Sequence, residues 1–125
     1  MQDRFRFRVW LRDTNKMYNV HSLHIGTNKA IISSRHGNVS VYINKNTILM
    51  QSTGLKDKNS ELIYEGDIVK IFHVSGTMQG KYFFDVMKWN GLRCRFETEH
   101  YGIIDDDDVY EVIGNIYENP ELLKE

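Results

Sequence analysis

Residues Arg4-Phe5-Arg6-Phe7-Arg8-Val9-Trp10-Leu11-Arg12 alternate strictly, and this stretch constrains the fold more than any other part of the chain. Strand side chains repeat every two residues, so Phe5, Phe7, Val9 and Leu11 fall on one face, and Arg4, Arg6, Arg8, Trp10 and Arg12 on the other. A helix would scatter both sets around its axis. The pattern predicts a half-buried strand with a basic outer face.

The rest of the chain repeats short extended runs between turn formers. Asp13 to Lys16 supplies a turn before the run from Met17 to Ile25, which predicts a hairpin. Gly26 to Lys29 precedes Ala30-Ile31-Ile32, and His36-Gly37-Asn38 precedes the alternating Val39, Val41 and Ile43, which predicts a second strand pair. Thr47 to Gln51 is an apolar run too short to assign to strand or helix. The polar, glycine-led stretch Gly54 to Ser60 reads as a loop. Beyond it, Asp67 to Val74, Lys81 to Trp89, Arg93 to Thr98 and Val109 to Tyr117 are rich in β-branched and aromatic residues. The gaps are too short for crossover helices, so the expected fold is mainly β with antiparallel strands and a small barrel in the second half. A short C-terminal helix is expected where Asn119 can cap, Pro120 can take the first helical position and Glu121-Leu122-Leu123 follow.

At 125 residues the chain is sized for one domain. The expected layout is an N-terminal hairpin portion over 1–46, a connecting loop over 52–62 and a barrel portion over 63–118. With 41% hydrophobic and 26% charged residues, this is the composition of a folded protein. No run approaches the roughly 20 apolar residues of a membrane-spanning helix. Met1 to Arg8 carries no apolar signal segment. The lone Cys94 has no intrachain disulfide partner. A cytoplasmic, soluble protein is the expectation.

Met50 to Asn59, continuing through Ile63-Tyr64-Glu65-Gly66-Asp67-Ile68-Val69-Lys70, closely resembles the YopX family of phage and prophage proteins. Phe7 to Trp10, Lys16-Met17-Tyr18 and the block from Glu111 to Leu123 extend the resemblance over nearly the whole chain. It implies an SH3-like barrel in the second half and carries over no catalytic residues. Ser60 departs from the family pattern, which usually has Gly there, and that bears on a left-handed turn at this position.

Several motifs invite chemistry. Gly66-Asp67 reads as the turn into a strand, with Gly66 supplying positive φ and Asp67 accepting backbone N–H groups. Gly114, inside an extended run, marks a bulge or barrel corner. The run Asp105-Asp106-Asp107-Asp108 offers hard oxygen ligands, but consecutive aspartates lack the alternating spacing of a calcium loop and read as a solvated loop or a docking surface for a partner. His21 and His24 fall on opposite faces of a strand, with no cysteine or carboxylate to complete a zinc site. Cys94 lies between Arg93 and Arg95, and alternation predicts a buried, inert thiol. No glycine is followed by the Lys-Ser/Thr of a phosphate loop. No cofactor or metal is implied.

The residues 1–45 hold eight Lys/Arg against two Asp/Glu, and 96–125 hold one against ten. This asymmetry fits ends that neighbour each other within or between copies of the chain. The expectation is a non-enzymatic accessory protein acting through protein contacts, with self-association as one form of contact. The alternative is a small nucleic-acid-binding module, in which Arg4, Arg6, Arg8 and Arg12 contact phosphates and Trp10 stacks on a base.

Overall fold

The computed structural model describes residues 5–102 and 107–123. It has ten strands: β1 (Phe7–Leu11), β2 (Lys16–His24), β3 (Lys29–Ser34), β4 (Gly37–Tyr42), β5 (Thr47–Lys56), β6 (Leu62–Tyr64), β7 (Asp67–Phe72), β8 (Tyr82–Asn90), β9 (Arg95–Thr98) and β10 (Val109–Asn115). A 3-10 turn follows at Pro120–Leu123. The strands form a six-stranded sheet of order β4-β3-β2-β1-β5-β6 and a four-stranded sheet of order β10-β7-β8-β9. Every strand pairing in both is antiparallel. The mainly β, antiparallel architecture is therefore the one the alternation predicts. Among the described residues no ladder joins β9 to β10, so strand pairing does not close the second sheet into a ring.

The turns follow from their residues. Asn15 and Asn28 take positive φ, at 53° and 56°, in the β1–β2 and β2–β3 connections. Asparagine tolerates that conformation better than most side chains. Gly66 takes φ 84°, as the turn into β7 requires. Ser60 takes φ 65°, so the left-handed turn survives without glycine. Asp57 compensates: its Oδ1 accepts the N–H groups of Asn59 and Glu61 at 2.8 and 2.9 Å.

Two boundaries differ from the sequence reading. The apolar run at Thr47 is the start of a ten-residue strand that continues to Lys56, so the connecting loop expected over 52–62 narrows to residues 57–61. Strand β6, expected in the barrel portion, pairs with β5 and so belongs to the first sheet. Gly54, at φ 83°, let one long irregular strand pass for a loop.

Two apolar centres result. Val9, Ala30 and Ile32 are buried in the first sheet. In the second half, Ile63, Val69, Ile71 and Met87 form a buried cluster, with Phe96, Tyr110 and Val112 packed against it. Strand β7 is central in its sheet, and Asp67, Ile68 and Val69 are consecutively buried because both of its faces are covered.

The β10–β7 register shifts between Val112 and Gly114, which places the expected bulge at Gly114. Asn119 does not cap the C-terminal turn. Its Oδ1 accepts the Asn115 N–H at 3.2 Å, folding back over Gly114. A Cβ at Gly114 would lie 2.5 Å from that oxygen. Gly114→Ala should therefore lower stability by about 1–3 kcal/mol. Gly26→Ala, with open space around it, should show no such loss. Urea unfolding of the two variants checks the contrast.

Candidate contact surface

The arginine strand does not form the outer surface that its alternation predicts. Strand β1 lies between β2 and β5, and both of its faces are covered at Arg8, Val9 and Trp10. Arg8 is 9% and Trp10 7% exposed. The Arg8 Nη2 group donates to Asp67 Oδ1 at 2.7 Å and to the Glu65 carbonyl at 3.1 Å. Its guanidinium carbon sits 4.7 Å from the centre of the Tyr64 ring. Trp10 stacks on Tyr117 at 5.7 Å between centroids. The face read as a phosphate-binding surface is thus the seam between β1 and the second half of the chain. Arg6 and Arg12 remain exposed, and Arg4 lies outside the described residues.

Asp67 also accepts the Tyr64 N–H at 2.8 Å, which is the turn-holding role its position predicts. Burial pushes its carboxyl above the usual range, while Arg8 and the Tyr64 N–H pull it back down. Asp57 has a similar duty at the other end of the seam, where its Oδ2 accepts the Val112 N–H of β10 at 2.8 Å. Asp85, on β8, accepts four donors. The Val86 N–H and His100 Nδ1 meet its Oδ1 at 2.8 and 3.0 Å, and the N–H groups of His100 and Tyr101 meet its Oδ2 at 2.9 Å each. Burial alone would raise the Asp85 carboxyl, but these bonds, the His100 side chain first, outweigh it and hold the group below its ordinary value.

Asp85, Glu99 and His100 place one ligand atom each within 4.8 Å of one another, a grouping that can suit a metal ion. Both Asp85 oxygens already accept two hydrogen bonds apiece, so the lone pairs a cation needs are occupied. The cluster is a clasp for the turn after β9. The sequence offered no sign of it, because residues fifteen apart meet only once β8 and β9 pair.

The acidic run divides. Asp105 and Asp106 lie outside the described residues. Asp107 is exposed, while Asp108 is half-buried and meets His73 Nδ1 at 3.1 Å. That pair lines a cleft of about 360 Å³ with Thr98, Tyr101 and Tyr110. His21 and His24 gain no third ligand; His24 Nε2 meets Ser22 Oγ at 3.2 Å. Cys94 is exposed, contrary to the alternation argument, because residues 91–94 are a turn and Cys94 itself takes φ 52°.

An exposed apolar surface lies elsewhere, on the outer face of the second sheet. Directly opposed residues in neighbouring strands share a face. Val109, Phe72 and Tyr82 make one such row across β10, β7 and β8, and Glu111, Lys70 and Phe84 make the next. The opposite face carries Val69, Ile71 and Met87 into the core. Tyr82, Phe84 and Phe72 are 56%, 42% and 39% exposed. Tyr82 and Phe84 are 5.9 Å apart between centroids, and Lys70 Nζ lies 4.4 Å from the Tyr82 ring centre. Lys58 Nζ meets Glu111 at 3.5 Å on the same side. Alternation within β7 and β8 could have revealed these rings as a set, since their partners at odd positions are the core residues.

These features define a small two-sheet antiparallel β protein whose buried acids hold turns and whose aromatic sheet face stays open. The model of the family described as YopX protein matches residues 6–124, and the chain belongs to that family. Protein EF1440 from Enterococcus faecalis, known from a crystal structure, is 30% identical, with a TM-score of 0.64 over 95% of this chain and 97% of that one. Protein yopX from Bacillus subtilis is 21% identical, with a TM-score of 0.55 over 97% and 99%, and shares the fold. No curated protein matches the chain.

Two predictions follow from the buried acids. Arg8→Met leaves Asp67 without its guanidinium and should cost about 3–5 kcal/mol, with part recovered in the Arg8→Met/Asp67→Asn double variant. Without Arg8 the Asp67 carboxyl rises further, and a raised carboxyl favours folding only while protonated. The Arg8→Met deficit in urea unfolding should accordingly be larger at pH 8 than at pH 5. Asp85 has the opposite sign: its depressed value gives stability above the unfolded pKa of about 3.9 that is lost as pH falls through the folded one. The melting temperatures of the wild type and Asp85→Asn should be well separated at pH 7 and converge toward pH 3.

Proposed function

We propose that this chain is a non-enzymatic accessory protein, of the phage or prophage origin that the family resemblance implies, working in the bacterial cytoplasm by contacting another protein. The observation that carries the reading is the open set of Val109, Phe72, Tyr82 and, in the adjacent row, Phe84 on the outer face of the second sheet. Contiguous exposed apolar surface on a small protein marks an interaction site more often than chance scatter does. Tyrosine and phenylalanine give large contact area at low entropic cost, and the Tyr82 hydroxyl and Lys70 add polar specificity. The expected partner presents an apolar surface with hydrogen-bond acceptors at its rim.

The non-enzymatic part rests on what the buried acids do. Asp57, Asp67, Asp85 and Glu97 each accept hydrogen bonds from within the fold. None of these four is poised as a free acid or base. A single reduced cysteine fits the cytoplasmic setting.

The nucleic-acid alternative loses Arg8 and Trp10, which are buried, and keeps the exposed Arg6 and Arg12. On the aromatic face, Lys70 is engaged with the Tyr82 ring and Lys58 with Glu111. The test is retention from nuclease-treated host lysate by wild type and by Tyr82→Ser/Phe84→Ser, whose replaced side chains are already exposed. The expected result is a defined protein held by the wild type and lost by the variant, with equal melting temperatures. Equal retention by both would move the site away from this face. Binding that disappears with nuclease and falls steeply with salt would favour the alternative.

A further inference from the structure

The two sheets have four edges, and they are treated unequally. Strand β6 is three residues long. Strand β9 is four residues long, carries Arg95 and Glu97, and its Thr98 bridges to Gly102. On β10, the Tyr110 carbonyl accepts the Lys58 N–H at 2.9 Å, and the Val112 N–H goes to Asp57. Short length, charge and capping are the usual ways in which a protein keeps a sheet edge from pairing with another chain. Among the described residues, strand β4 has none of these. Gly37–Tyr42 is six residues long and pairs with β3 without a register shift. It contains no charged residue and no proline.

The direction of its free backbone groups can be read from the ladder. The Ile43 N–H donates to the Asn28 carbonyl at 2.9 Å. Bonding alternates along an antiparallel strand, so Val41, Val39 and Gly37 also point their groups at β3. Asn38, Ser40 and Tyr42 then point theirs outward. The side chains alternate as well. Val39 and Val41 lie opposite Ile32 and Ala30 and share their core-side face, yet Val39 is 45% exposed because no further strand covers it.

We propose that β4 pairs antiparallel with β4 of a second copy of this chain, about a two-fold axis at Ser40. That register makes Ser40 face its own counterpart and Asn38 face Tyr42 of the partner copy, and these are the residues whose groups point outward. It also sets Val39 opposite Val41 of the partner copy on the core-side face, apolar against apolar. The strand is thus complementary to itself, with no like charges opposed within Gly37–Tyr42, and the two six-stranded sheets become one. This surface is separate from the aromatic face of the second sheet and does not depend on it.

The test is sedimentation equilibrium over a rising protein concentration. The wild type should dimerise, and Ser40→Lys, which opposes two ammonium groups at the axis, should weaken the dimer by more than about tenfold. Ser40 is exposed, so the variant's melting temperature as a dilute monomer should match the wild type. Facing Cα atoms in a bonded antiparallel pair are about 5.5 Å apart, within disulfide range. Ser40→Cys in a Cys94→Ser background should therefore cross-link into a dimer on mild oxidation. A wild type that stays monomeric overturns the proposal. So does a dimer that Ser40→Lys leaves intact or that Ser40→Cys cannot trap, or a monomer that adds an extended segment of another protein at β4.

Discussion

The Arg8–Asp67 pair is the interaction on which the arrangement of the two halves depends. One charge comes from the central region of the first sheet and the other from the start of β7, fifty-nine residues later, and both are buried. Removing both charges from water is expensive, and the cost is recovered only where geometry supplies several bonds at once. The turn at Gly66 makes that geometry. Its positive φ delivers Asp67 to Arg8 and to the Tyr64 N–H, while the Glu65 carbonyl takes a second bond from the same guanidinium nitrogen. The Arg8 Nε is left without an acceptor. The Tyr64 ring beneath the guanidinium offsets part of that loss. An ion pair held this way gives orientation more than net stability, because a slipped register would leave both charges buried and alone.

The same economy recurs after β5 and after β9. Asp57 and Asp85, like Asp67, each gather backbone N–H groups that would otherwise point into the interior unbonded. A carboxylate is suited to this because it accepts at four positions and is already charged. These three acids are thereby engaged within the fold. The exposed rings on β7 and β8 and the six residues of β4, by contrast, carry no charge.

Much of the fold was legible because it is local. Alternation located the strands, Gly66 and Gly114 marked a turn and a bulge, and the short connections required antiparallel pairing. The misplaced features are those in which a distant segment reverses a local rule. Arg8 and Trp10 occupy the polar face of an alternating strand, and only Asp67 and Tyr117 make that face internal. Cys94 sits in an alternating run by sequence, but residues 91–94 reverse the chain. Asn119 has the right side chain for a helix cap but finds Asn115 instead, because the bulge at Gly114 leaves space there. The aromatic face was visible in principle in the parity of β7 and β8. Recognising it required knowing which parity faces the core, and that is decided by the partner sheet.

Strand β5 gives the architecture a temporal order. Its first residues pair with β1, across a separation of about forty positions, and its last pair with β6 only a short turn away. The hairpins β2–β3, β3–β4 and β7–β8 close short loops, whereas β1 must wait for β5 before it gains its second neighbour and for the turn at Gly66 before Arg8 gains its counter-ion. Loop closure of that length is entropically costly, so these contacts form late. A nascent chain would hold its first strand paired only with β2 until β5 had emerged, and Arg8 without its counter-ion until more than half of the sequence had. During that interval, and not in the finished protein, Arg8 and Trp10 would be open to solvent.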